Sequence, residues 1–251
     1  MEFIRAAAAE WLKMKRTLGL WLAPVAPLVI VALQVAVILD GRIHYQNAPL
    51  ETWGSYARQT MFLWGVFMLP LFITLETALL ANLEHANQQW KHLYALPIRR
   101  RAIYAAKQLN GMLLIGLSMA ALAIYTVLSG LGLRVVAPGL GFEEPVPWMS
   151  IVRYAGLSYL ASWLIISIHT WVALRWHSFV VASAVGIGVV VVAVVVIQSK
   201  WGPWYPWTLP AILVNDLSEG LKPWLTLAIG SLGGLAVALL GGWEVSRRDV
   251  L

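Results

Sequence analysis

Apolar residues gather into six long stretches, at Leu18 to Leu39, Met61 to Leu83, Leu109 to Leu131, Tyr154 to Leu174, Phe179 to Ile197 and Trp224 to Trp243. Each is near the ~20 residues that carry a helix across a hydrocarbon layer ~30 Å thick. The pattern predicts an all-α, polytopic membrane protein whose residues 1–251 form a single transmembrane domain. The fifth stretch is almost pure valine, isoleucine and alanine, which in water would favour a strand. At 19 residues without a turn signal, its length predicts a membrane helix instead. Ahead of the first stretch, Phe3, Ala7, Trp11 and Met14 recur at spacings of three and four, with Arg5, Lys13 and Arg16 mostly elsewhere. That is the spacing of a short amphipathic helix lying in the interface, as opposed to the charged start of a long first span. Its charges, and the length of the stretch that follows, argue for a retained segment and not a cleaved signal.

Orientation follows from basic residues on alternate sides of the spans. Arg5, Lys13, Lys15, Arg16, Lys91, Arg99, Arg100, Arg101, Lys107, Arg175, Arg247 and Arg248 fall on one side. Only Arg42, Arg58, Arg134, Arg153, Lys200 and Lys222 fall on the other. The richer side is expected to be cytoplasmic, which puts both termini there in a bacterial cytoplasmic membrane. Trp201, Trp204, Tyr205 and Trp207, interleaved with Pro203, Pro206 and Pro210, read as an interfacial aromatic belt on the outer face.

Composition narrows the function classes. The chain is 60% hydrophobic and 12% charged, against roughly 45 to 50% and about 25% in soluble domains, which excludes a soluble fold. The net charge of +6 is assigned to loops facing anionic lipid or a protein partner; no nucleic acid is expected. With no cysteine, disulfides, thiolate metal sites and thiol nucleophiles are excluded. No glycine precedes a lysine, so a phosphate-binding loop is absent and no nucleotide cofactor is expected on this chain. His85 and His92 lie near Glu84 without the order or third ligand of a zinc site, so no metal is expected either. No serine sits in a nucleophile elbow, and Ser158, Ser162 and Ser167 inside the fourth stretch are read as helix-bonding hydroxyls. Glu143 and Glu144 fall in a Pro-rich outer loop and read as solvated. No catalytic residue emerges, and the chain is not expected to be an enzyme.

Two ionisable residues inside stretches carry more weight, because a charge at mid-membrane costs about 2.5 to 3.5 kcal/mol. They are Glu76 and His169, both in the inner half. Either they pair or line an inward-open cavity, or Glu76 snorkels and His169 makes a neutral interhelical hydrogen bond. Gly230, Gly234, Ala238 and Gly242 repeat every four residues along the last stretch, a ridge along which another backbone can approach. The ridge suits a seam within one subunit or an interface between two.

The connection from Glu84 to Lys107 is the longest on the basic side. Leu83, Trp90, Leu93, Tyr94 and Leu96 form an apolar stripe among polar residues over about 84–96, then Pro97 stops the helix and Arg99, Arg100 and Arg101 follow. A short amphipathic helix, a proline break and a basic cluster make a knob suited to receiving force from a soluble partner.

This segment resembles that of the permease subunits of type-2 ABC exporters, especially the branch of lantibiotic immunity and bacitracin-type resistance transporters. The matching features are Glu84 closing the second span, Trp90 and Lys91, the Leu96, Pro97, Ile98 break, Arg100, and Lys107 opening the third span. Arg247, Arg248, Asp249 and Val250 after the last span are similar to the family's terminus, whereas Gln88 and Gln89 replace the small residues common before the Trp-Lys pair. The resemblance implies an ATPase-coupling helix over 84–96, with Glu84, Trp90, Lys91, Leu93, Tyr94, Pro97 and Arg100 as its residues. It also implies a separate ATP-binding cassette subunit holding ATP and Mg, a second permease chain, and export of a hydrophobic or amphipathic cargo, antimicrobial peptides among the candidates. An ion-coupled secondary transporter is the alternative, since Glu76 and His169 are ionisable, although no repeated halves are evident.

Overall fold

Six helices among the described residues are long and apolar enough to cross a bilayer: Leu18–Leu39, Thr52–Asn82, Arg100–Val136, Trp148–Arg175, Phe179–Val196 and Trp224–Arg247. The computed structural model describes residues 2–15, 17–41, 49–85, 99–176, 178–221 and 223–247, and no strand occurs among them. Helix α1 (Glu2–Met14) precedes α2 (Leu18–Leu39), the first span. The second comprises α3 (Pro49–Leu63), one π-helical turn (Trp64–Met68) and α4 (Leu69–His85). Span three is α5 (Arg100–Val136), span four is α6 (Trp148–Ala161) with α7 (Trp163–Arg175), and span five is α8 (Phe179–Val196). Two 3-10 turns (Gly202–Trp204 and Pro206–Thr208) and α9 (Leu209–Ser218) lead to α10 (Trp224–Arg247).

Spans two, three, four and six outrun their apolar stretches. Helix α5 has 37 residues, about 55 Å at the helical rise, well beyond a ~30 Å hydrocarbon core. Apolar length marks only what lipid demands; helices continue into water wherever neighbours hold them. At the end away from α1, Trp53 and Tyr56 of α3 and Leu133 of α5 close around Phe142 from the α5–α6 loop. Phe142 meets both rings edge-on and accepts the Trp53 Nε1 hydrogen bond at its carbonyl, 3.2 Å away. In the same loop Glu143 accepts the Gly139 amide at 2.7 Å, and that bond leads the contacts that hold its carboxyl below the usual range.

Two irregularities shape the middle of the bundle. Pro70 has no N–H for the Val66 carbonyl, and the helix widens just before it, with Leu69 N–H reaching back to Trp64 O. Gly65 in this turn lets the backbone of α9 approach, since a Cβ there would stand 3.1 Å from the Ala211 nitrogen. Span four bends at Ser162, whose amide is shared between the Ser158 and Tyr159 carbonyls and whose hydroxyl donates to Tyr159 O at 2.7 Å. Span two is the central element, with 67% of its apolar window buried, whereas spans five and six have 22% buried. Their outer faces are left for lipid or another chain.

We call the end that holds α1, the starts of α5 and α8 and the end of α10 the basic end, after Arg5, Lys13, Arg99, Arg100, Arg101, Lys107, Arg175 and Arg247. At the opposite end the chain after span five folds back before reaching the last span. Tyr205 donates to the Val189 carbonyl at 3.0 Å, and the Thr208 hydroxyl lies 2.6 Å from the Gly202 and Tyr205 carbonyls. From there α9 runs through the bundle with Leu209 to Val214 buried.

Candidate functional site

The best-developed polar site in the bundle surrounds His169. Its ring is buried on α7, and the Trp207 indole donates Nε1–H to His169 Nε2 at 2.9 Å with the two rings edge to face at 5.9 Å. Nε2 is therefore the acceptor, which assigns the proton of the neutral ring to Nδ1. Thr74 Oγ1 lies 3.5 Å from the ring nitrogens, while its own hydrogen goes to the Pro70 carbonyl at 2.9 Å. On its other flank Thr74 presses directly on Gly186 of α8, where even a Cβ would overlap it. Spans two, four and five and the fold-back segment thus meet at one point.

Glu76 is not part of that cluster. It follows Thr74 by two residues and so turns to another face of α4, where its carboxylate is buried against Gly19 of α2. Neither oxygen has a hydrogen-bond partner among the described residues. The structure therefore separates the two ionisable residues, and Glu76 is buried without reaching the surface by snorkelling.

A charged contact that the apolar pattern concealed joins α1 to span three. Glu10, buried at the centre of the inward face formed with Ala6 and Met14, accepts from Lys107 at 2.8 Å and Lys13 at 2.7 Å. Burial raises its carboxyl, but Lys107 and Lys13 together outweigh this and hold it below the usual value. Lys107 is itself buried, so the pair fixes the interfacial helix to the base of α5.

The ABC-2 family transporter protein domain matches residues 7–198, which takes in the second half of α1 and the first five spans. The chain belongs to the ABC-2 transporter family. A comparison with curated proteins gives no match. As an ABC-2 permease it is a multi-pass membrane protein and a transport subunit, whose family pairs it with a separate ABC ATPase.

In the permease, Arg100 opens α5. Trp90, Lys91, Leu93, Tyr94 and Pro97, and the side chain of Glu84, lie outside the described residues. Gly230 and Gly234 face span four of the same chain: a Cβ on Gly230 would strike the Ala161 backbone, and one on Gly234 would stand 2.6 Å from Trp163. Further along the ridge Ala238 is half-buried, and Gly242 lies beside the Tyr104 ring. The span-four serines bond locally and across helices: Ser158 to the Pro210 carbonyl at 3.1 Å, and Ser167 with Gln108 at 2.8 Å. The aromatic belt divides. Trp201 and Trp204 are exposed, as an interfacial belt requires, but Trp207 and Tyr205 turn inward to His169 and Val189. Composition alone gives all four the same reading; the division depends on the fold-back, whose only local signal is the Pro203, Pro206, Pro210 spacing.

Proposed function

We propose that this permease is the membrane half of an ATP-driven exporter of a hydrophobic or amphipathic compound, in the branch that confers peptide resistance. The observation carrying the reading is the ABC-2 match over residues 7–198 in a chain that lacks any phosphate-binding loop. A transport subunit without its own nucleotide site needs an external source of work. In this reading the basic end faces the cytoplasm of a bacterial cell. The segment 84–96 docks in a cleft of the ATPase through Trp90, Leu93 and Tyr94, bracketed by Glu84 and Lys91. Pro97 and Arg100 stiffen the return into span three. ATP and Mg sit in the partner, and two permease chains form the pathway.

The exposed apolar faces of α2, α8 and α10 support the pairing of permeases, and the long buried surface of span two suits transmission from the coupling segment. Native mass spectrometry on the permease coexpressed with the ATPase of its own operon tests the assembly. Two permease chains with two ATPase chains are expected; isolated permease under those conditions would overturn it.

A further inference from the structure

We infer that Trp207 and His169 latch the fold-back segment 202–208 to the bundle, as the residues that position it on the side opposite the basic end. The inference rests on the exporter reading for what opens the latch, but its geometry stands independently.

The segment 202–208 consists of two successive 3-10 turns. It descends beside α8 through Tyr205 and its own Thr208 cap, and its lowest side chain, Trp207, reaches His169. Along span four His169 lies about 16 Å, at the helical rise, below Ser158, which holds Pro210 at the start of α9. Trp207 is thus an anchor dropped deep into the bundle from a segment otherwise held near its far end. The half-buried Trp207 donates its indole N–H to the buried imidazole, and separating them leaves the His169 acceptor unpaired in an apolar setting. The closed position is therefore well defined.

The latch also lies where movement from the basic end must pass. Just below it, Ala78 of span two and Ala182 of span five pack with Val172 of span four in one buried cluster. At Thr74 and Gly186 spans two and five touch with no space left. A displacement of the lower part of span two is carried by this packing to a pivot at Thr74, whose hydroxyl lies 3.5 Å from the His169 ring nitrogens. The pivot and the latch share one side chain, so a shift of span two changes the seat of the His169 ring and frees or holds Trp207.

The test is hydrogen exchange of the peptide covering 202–214, measured by mass spectrometry on the full chain in nanodiscs with its ATPase. Trp207→Phe keeps the ring and loses the donor; His169→Leu loses the acceptor. Each should speed exchange of this peptide at least about five-fold, the change that losing one such hydrogen bond gives to a local opening. The double variant should add little to either single change. His169→Gln, which restores an acceptor, should return near-native protection, and peptides within 109–131 should be unchanged in every variant. ATP with vanadate should raise exchange of 202–214 in the native complex and have little further effect in Trp207→Phe. Native protection in Trp207→Phe, additive effects in the double variant, or a vanadate-trapped complex that keeps the segment protected would overturn the latch. Absence of bound ATPase would remove the exporter reading instead, and the variant pattern would still decide whether the latch exists.

Discussion

Glu10 illustrates how one side chain fixes an element. Its carboxylate sits between Lys107 and Lys13, and the pair with Lys107 is buried on both sides. Replacing Lys107 by methionine strands the carboxylate, a loss that in buried pairs costs about 3 to 5 kcal/mol; Lys13 compensates in part, so about 2 kcal/mol is expected here. The pH dependence has a definite sign. A carboxyl held below its usual value contributes stability above about pH 4.3, the ordinary glutamate value, and loses it as pH falls through the lowered folded value. Because the chain contains no cysteine, a spin label on Ala9→Cys reports α1 alone. It should remain immobile at pH 5 and above and become mobile below about pH 4, while Lys107→Met should be mobile already at neutral pH. The apolar stripe in the sequence located α1 but not its anchor, because a charge at the centre of an inward face is invisible until its partner, ninety-seven positions away, is known.

Glycines show the same division at residue scale. The four-residue spacing on α10 was readable, yet only packing reveals that Gly230 lies against the backbone bend at Ala161. Gly230→Val should destabilise the permease by about 3 kcal/mol, since backbone cannot move aside as a side chain can. Gly132→Ala faces open space on α5 and should stabilise by about 0.5 to 1 kcal/mol through helix propensity. Thermal unfolding of the two variants in one detergent checks the contrast; equal shifts would mean that the α10 seam is looser than described.

At the scale of elements, hydropathy located all six spans but understated four of them. It measures the length that lipid requires, whereas α3 and α5 continue because Trp53, Tyr56 and Leu133 pack around Phe142 beyond the apolar stretches. The π turn before Pro70 carries a further expectation. Gly65→Val would push on Ala211, which a Cβ approaches to 3.1 Å, and should detach α9 from span two. The expected signature is a loss of about 1 to 3 kcal/mol with faster exchange in 209–218 and unchanged exchange in α5. A tryptophan and proline cluster reads as an interfacial belt from composition, a reading compatible with the exposure of Trp201 and Trp204. Trp207 escapes it because its inward turn depends on a fold-back and a histidine on another span.

At the scale of the whole molecule, a central span two joins the basic end to the Thr74, His169 and Trp207 cluster, with spans five and six more exposed around it. The family membership was legible from the short motifs around Glu84 to Lys107, while the intramembrane site was legible only through His169, one of two isolated ionisable residues. In the proposed function, work enters through Trp90 and Leu93. The direct measurement is ATP hydrolysis and ATPase co-purification in the reconstituted complex, comparing native permease with the Trp90→Ala, Leu93→Ala double variant. Loss of two apolar anchors from a small interface should cost about 2 kcal/mol or more. The variant should insert normally yet recover at most a few per cent of the ATPase and show no permease-stimulated hydrolysis. Full ATPase recovery with native stimulation in that variant would contradict the coupling role of the segment.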